Sequence, residues 1–243
     1  MSANNVTVTS RSNSKYSTKT WVALGMLTAV AYVVMLLSKM LPSVNGFLDF
    51  DFKDVVICIS GFIYGPLSAA IISIVVAVVE MVTISHTGPI GLLMNILATC
   101  SFCCTATFIY KKLHTMKGAI LGLAVGVVSL VVVMLLWNYL ITPIYQGVPR
   151  DVVVSMLPTV FFPFNLAKGG MNMAATLLLY KPVVTALRKA HLAPESRTPR
   201  TTVTLNGVPT SAPAAKFNLG FVLFSLALLA TFVTLALVLW GVI

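Results

Sequence analysis

From Ser155 to Tyr180 the chain is almost wholly apolar, yet Asn165 and Lys168 sit in the first half of that run, followed by Gly169, Gly170 and Asn172. An amide both donates and accepts hydrogen bonds and an ammonium supplies three donors, so this pair is suited to a ligand's carbonyls and hydroxyls. At i and i+3 the two side chains share one face of a helix. A lysine at membrane depth costs about 3 kcal/mol on insertion scales, so it normally faces a cavity and has a partner there. One reading is a lysine near a helix end reaching back to the headgroups, with the asparagine tying helices together. The other is the polar wall of a ligand pocket. Asn95, Asn138 and Glu80 are further polar groups set in apolar stretches.

Other chemistry has few candidates. No GxxxxGK[ST], HExxH or GxSxG occurs, and no histidine lies in the middle of an apolar run. Acid–base catalysis and ATP hydrolysis therefore lack their usual residues, and the chain does not read as an enzyme. Cys100, Cys103 and Cys104 have i, i+3, i+4 spacing but no histidine or carboxylate in the same segment, which reads as packing rather than a metal site.

The elements that must position these groups are membrane helices. The 243 residues are 58% hydrophobic and only 9% charged, a composition that marks a polytopic, all-α membrane protein. Residues 1–19 are polar and read as a disordered tail. Apolar runs over about 20–40, 55–64, 67–84, 91–110, 118–141 and 155–189 make a six-helix domain spanning 20–190. The second is short and is stopped by Gly65-Pro66. Pro163 suits the start of a helix, so residues 142–155 are expected to be a loop. Residues 191–216 read as a linker, and 217–243 as one additional transmembrane helix, packed loosely and outside any site. The stretch 41–54, LPSVNGFLDFDFKD, could lid a pocket or sit at the interface among other aromatics.

Lysine and arginine placement sets the expected orientation. With the N-terminus in the cytoplasm, twelve of the sixteen basic residues fall inside, and Asp49, Asp51, Asp54, Glu80 and Asp151 fall on the outer half. The C-terminus is then outside the cell membrane. Asn95, Asn138, Asn165 and Lys168 share the outer level, which predicts a pocket opening outward. In the first span, Gly25 and Ala29 leave a small-residue groove, suited either to a partner helix or to packing within the bundle.

Three stretches carry a resemblance. DFKDVVICISGFIYGP (51–66) resembles the passage from the first loop to a short second helix in S components of energy-coupling factor (ECF) vitamin transporters. WNYLITPIY (137–145) and FPFNLAKGG (162–170) are similar to signature stretches of the riboflavin-specific S components. The resemblance covers residues 20 to about 190. It implies a membrane subunit that binds riboflavin as a substrate, without a cofactor, and passes it on when docked to a transmembrane coupling subunit and two cytoplasmic ATPases. It further implies that Asn138, Asn165 and Lys168 hydrogen-bond the flavin, that the first loop helps close the site, and that Gly25 and Ala29 face the coupling subunit. Nucleic acid is not an expected partner, since the basic residues flank spans. The alternatives are an S component for another vitamin and a stand-alone secondary transporter, although no internal repeat of the kind common in the latter is evident.

Overall fold

The computed structural model describes residues 17–192 apart from 45, 47 and 86, the short segments 203–205 and 208–210, and residues 219–241. The expected disordered tail lies almost entirely outside the described residues. Its last two positions, Thr18 and Lys19, already belong to helix α1 (Thr18–Ser38), which Ser17 caps by accepting from the Thr20 N–H.

The chain then runs through α2 (Lys53–Tyr64), α3 (Pro66–Thr83), α4 (Gly88–Leu113) and α5 (Met116–Gln146). A continuous helical rod follows, made of α6 (Arg150–Met156), a π turn (Leu157–Phe161) and α7 (Phe162–Lys189). The last helix is α8 (Leu219–Leu239). Six of these stretches are long and apolar enough to cross a membrane: α1, α3, α4, α5, the α6–α7 rod and α8.

Helix α2 is the exception. Its 12 residues rise about 18 Å, well short of a hydrocarbon core of about 30 Å. The preceding loop makes up the depth. Phe50 and Asp51 are buried, the Phe52 N–H donates to Ser38 Oγ, and Asn172 Nδ2 in α7 donates to the Asp51 carbonyl at 2.9 Å. Asn172 lies about two turns along α7 from Asn165, so irregular backbone enters the bundle. That is tolerated at membrane depth where the loop is held by protein and lines a cavity.

The loop expected over 142–155 is mostly helix. Helix α5 continues through Pro143 and stops only where Gly147 takes φ 64°, a left-handed cap natural to glycine. Helix α6 begins three residues later. Pro163 does stand in the first turn of α7, but no break precedes it. The Phe162 N–H reaches back five residues to the Leu157 carbonyl, widening the turn ahead of a proline that has no N–H to give.

The expected linker holds two short antiparallel strands, β1 (Val203–Leu205) and β2 (Val208–Thr210), with Thr204 opposite Pro209. The last helix is the least buried of the six spans, as expected of loose packing, and it rests on α7. Ser225 and Ala236 of α8 are buried, and a Cβ on Gly170 of α7 would run into the Phe232 ring. Glycine at 170 is what lets α8 seat against α7.

Candidate ligand-binding site

A cavity of about 580 Å³ opens at the end of the bundle that carries the loop between α1 and α2. All four polar residues expected from the sequence line it: Asn95 of α4, Asn138 of α5, and Asn165 and Lys168 of α7. Three helices thus converge on one space. Trp137, Phe164 and Tyr145 supply aromatic wall, with Met94 and Met134 between them. Phe161 instead lies in the apolar cluster behind α7, and Tyr139 faces outward beneath the Arg150 guanidinium.

The asparagines are fixed but not exhausted. Asn138 Nδ2 donates to the Met134 carbonyl at 2.7 Å, and its Oδ1 accepts from Thr142 Oγ1 at 2.9 Å. Asn165 Nδ2 donates to the Phe161 carbonyl at 2.8 Å. A side-chain amide carries two N–H donors and an oxygen with two lone pairs, so each keeps capacity for a ligand while its own helix sets its direction. Asn172, by contrast, spends Nδ2 on the loop and on the Lys168 carbonyl.

The carboxylates are the part that sequence reasoning left unassigned. Glu80 of α3 is 3% exposed and Lys53 of α2 is 2% exposed, and their charges meet at 2.8 Å. Lys53 also pairs with Asp51 at 2.8 Å. The other oxygen of Glu80 lies 3.5 Å from Lys39, which pairs with Asp49 at 2.8 Å. Asn95 Nδ2 donates to Glu80 at 3.1 Å. Burial alone would lower the pKa of Lys39, but its hydrogen bond to Asp49 and the nearby acids outweigh that and raise it. The aromatic–acidic alternation of the loop and the solitary Glu80 were the signals for this network. Nothing in their spacing says which lysine they meet.

Lys168 borders that network, and its charge acts on the buried Asp51 and Asp54 without a direct ion pair. It lines the cavity, yet no carboxylate lies within ion-pair distance of it among the described residues. The charges expected beside it are those two carboxylates, beyond direct contact, and the residue lines the cavity. An apolar and aromatic wall with a few convergent polar groups is the usual form of a small-ligand pocket.

Gly25 and Ala29 are exposed on the outer face of α1, and a Cβ on Gly25 would meet nothing within 4 Å. Packing within the bundle, one of their two readings, is ruled out.

Comparison with known proteins agrees with this architecture. Residues 19–180 match the family model of the ECF transporter substrate-specific component. The chain is 31% identical over 186 residues to the riboflavin transporter FmnP of Bacillus subtilis (strain 168), covering 72% of this chain and 98% of that protein. It is 28% identical to the riboflavin transporter RibU of Staphylococcus aureus (strain TCH60), covering 70% and 93% of the two chains. Among solved structures, an S component of a bacterial ECF transporter superposes with a TM-score of 0.60 at 28% identity, covering 70% of this chain and 98% of the other. The chain belongs to the family of substrate-specific components of ECF transporters.

Proposed function

We propose that this protein binds riboflavin in the cavity and serves as the substrate-binding subunit for its uptake across the cell membrane. The observation that carries the reading is the convergence of Asn95, Asn138, Asn165 and Lys168 on one cavity beside Trp137 and Phe164. An isoalloxazine is flat and aromatic with a polar pyrimidine edge, and the ribityl chain is a run of hydroxyls. The amides suit the edge, since they donate and accept side by side, and the Lys168 ammonium suits carbonyl or hydroxyl oxygens. The names of the relatives support the same vitamin.

Energy comes from elsewhere in this reading. A transmembrane coupling subunit docks on the face of α1 that carries Gly25 and Ala29, and two cytoplasmic ATPase subunits drive it. The N-terminus is cytoplasmic, the cavity opens outward, and α8 ends outside, as the distribution of basic residues supports. The test is to purify the protein and read flavin absorbance, identify the ligand by mass spectrometry, and titrate the ligand-free form by quenching of riboflavin fluorescence. Saturable quenching by riboflavin is expected. A different vitamin in the mass spectrum, with no quenching of riboflavin, would overturn the choice of substrate.

A further inference from the structure

Helix α8 lies outside the family match, which ends at residue 180, and none of its residues lines the cavity. It nevertheless reaches the cavity wall through two rings. Trp240, just past the end of α8, sets its ring edge-on against Phe50, with centroids 5.4 Å apart and planes at 86°. Phe50 in turn packs on Phe164 at 4.9 Å. Phe164 lines the cavity, and so do Leu48 and Asp51 on either side of Phe50 in the loop. Phe50 itself is 1% exposed.

The other end of this chain of contacts is a close approach of α8 to α7. Phe232 occupies the space that a Cβ on Gly170 would fill. Gly170 belongs to the same helix as Asn165 and Lys168. Helix α8 is thus seated on the helix that carries half of the polar wall, and Trp240 beyond its end touches the loop that packs on that helix.

We propose that α8 is a brace that holds the loop between α1 and α2 against the cavity, and that Trp240 is the residue that positions it. The ring is what Trp240 contributes, because its buried indole N–H has no acceptor among the described residues. A phenyl ring at the same position keeps the edge contact, whereas a methyl group removes it.

The inference rests on the cavity being the riboflavin site, and the experiment separates the two. Riboflavin dissociation and association rates are measured by stopped-flow fluorescence on the full chain and on Trp240→Ala, Trp240→Phe and Phe224→Ala. Phe224 is 49% exposed on α8 and is the control. Losing one edge-to-face aromatic contact is expected to speed dissociation about two- to tenfold in Trp240→Ala, with association changing less. Trp240→Phe should restore the slow rate and Phe224→Ala should match the parent. Hydrogen exchange over residues 44–52, measured without any ligand, should rise in Trp240→Ala alone. A Trp240→Ala protein with parental dissociation and exchange overturns the brace. So does a lowered melting temperature with both rates and exchange unchanged, or a Trp240→Phe protein as fast as the alanine variant. A parent that does not bind riboflavin overturns the substrate reading instead, and the exchange measurement still decides the brace.

Discussion

The Lys53 ammonium lies 2.8 Å from Glu80 Oε2, with both side chains almost wholly buried. Glu80 also receives Lys39 from the other end of the same loop, so one carboxylate of α3 anchors both ends of the segment between α1 and α2. Forming such a pair in a low-dielectric setting contributes little net stability, because desolvating the charges offsets their attraction. Breaking it is another matter.

Lys53→Met should therefore be severely destabilising. It removes the ion-pair partner of buried Asp51 and the nearer of the two lysines at Glu80, and removing one partner of a buried pair costs about 3–5 kcal/mol. Adding Glu80→Gln to it should recover part of the loss, since one uncompensated charge is then gone. Thermal unfolding in detergent of the parent, single and double variants checks this. A Lys53→Met protein that melts like the parent would mean the charges are solvated in the membrane-embedded protein.

The four polar residues that line the cavity were legible because each interrupts an apolar helix, where a costly side chain stands out. Helical spacing then put Asn165 and Lys168 on one face without any tertiary information. The Lys53–Glu80 pair was not legible, because its partners lie on different helices and Lys53 follows two acids in a loop where an exposed lysine is ordinary. The continuation of α5 past Pro143 and the π turn before Pro163 were missed for a related reason. Local proline signals favour a break, and the packing that carries the helices through is tertiary. The seating of α8 depends on Gly170 meeting Phe232, a contact between residues far apart in sequence that no spacing rule reports.

Asn172→Ala should loosen the loop without touching the ligand. The variant leaves the buried Asp51 carbonyl without the donor it now has at 2.9 Å, which costs about 1–3 kcal/mol. Asn172→Asp should be worse, since an ionised carboxylate offers no N–H and faces a carbonyl oxygen. Hydrogen exchange across residues 48–54 should increase in the order parent, alanine, aspartate. Equal protection in all three would show that the loop is held by its ion pairs alone.

Lys168→Ala should weaken riboflavin binding while leaving the fold intact. Lys168 makes no direct ion pair among the described residues; Asp51 keeps Lys53 at 2.8 Å and Asp54 keeps Thr99 when it is removed, so the larger loss falls on the ligand. One charge-assisted contact of this kind is worth about 1–3 kcal/mol, or roughly tenfold to over a hundredfold in affinity. Fluorescence-quenching titration beside a melting curve separates the outcomes. Parental affinity in a well-folded variant would remove Lys168 from the binding residues.

Gly25→Leu and Ala29→Leu should separate binding from transport. Both residues are exposed on the outer face of α1, and a side chain added at Gly25 meets nothing within the protein. The bundle therefore has no reason to respond, and riboflavin affinity of the purified subunit should stay at the parental value. A partner helix packing closely on that groove would be held off by several ångströms, since small residues are what let two membrane helices approach. Uptake of riboflavin by cells that depend on this protein should fall to background in either variant, while its abundance in the membrane is unchanged. Co-purification with the coupling subunit should be lost in parallel. Normal uptake in both leucine variants would place the docking surface on another face of the molecule. Loss of binding together with uptake would show that this face of α1 supports the cavity after all.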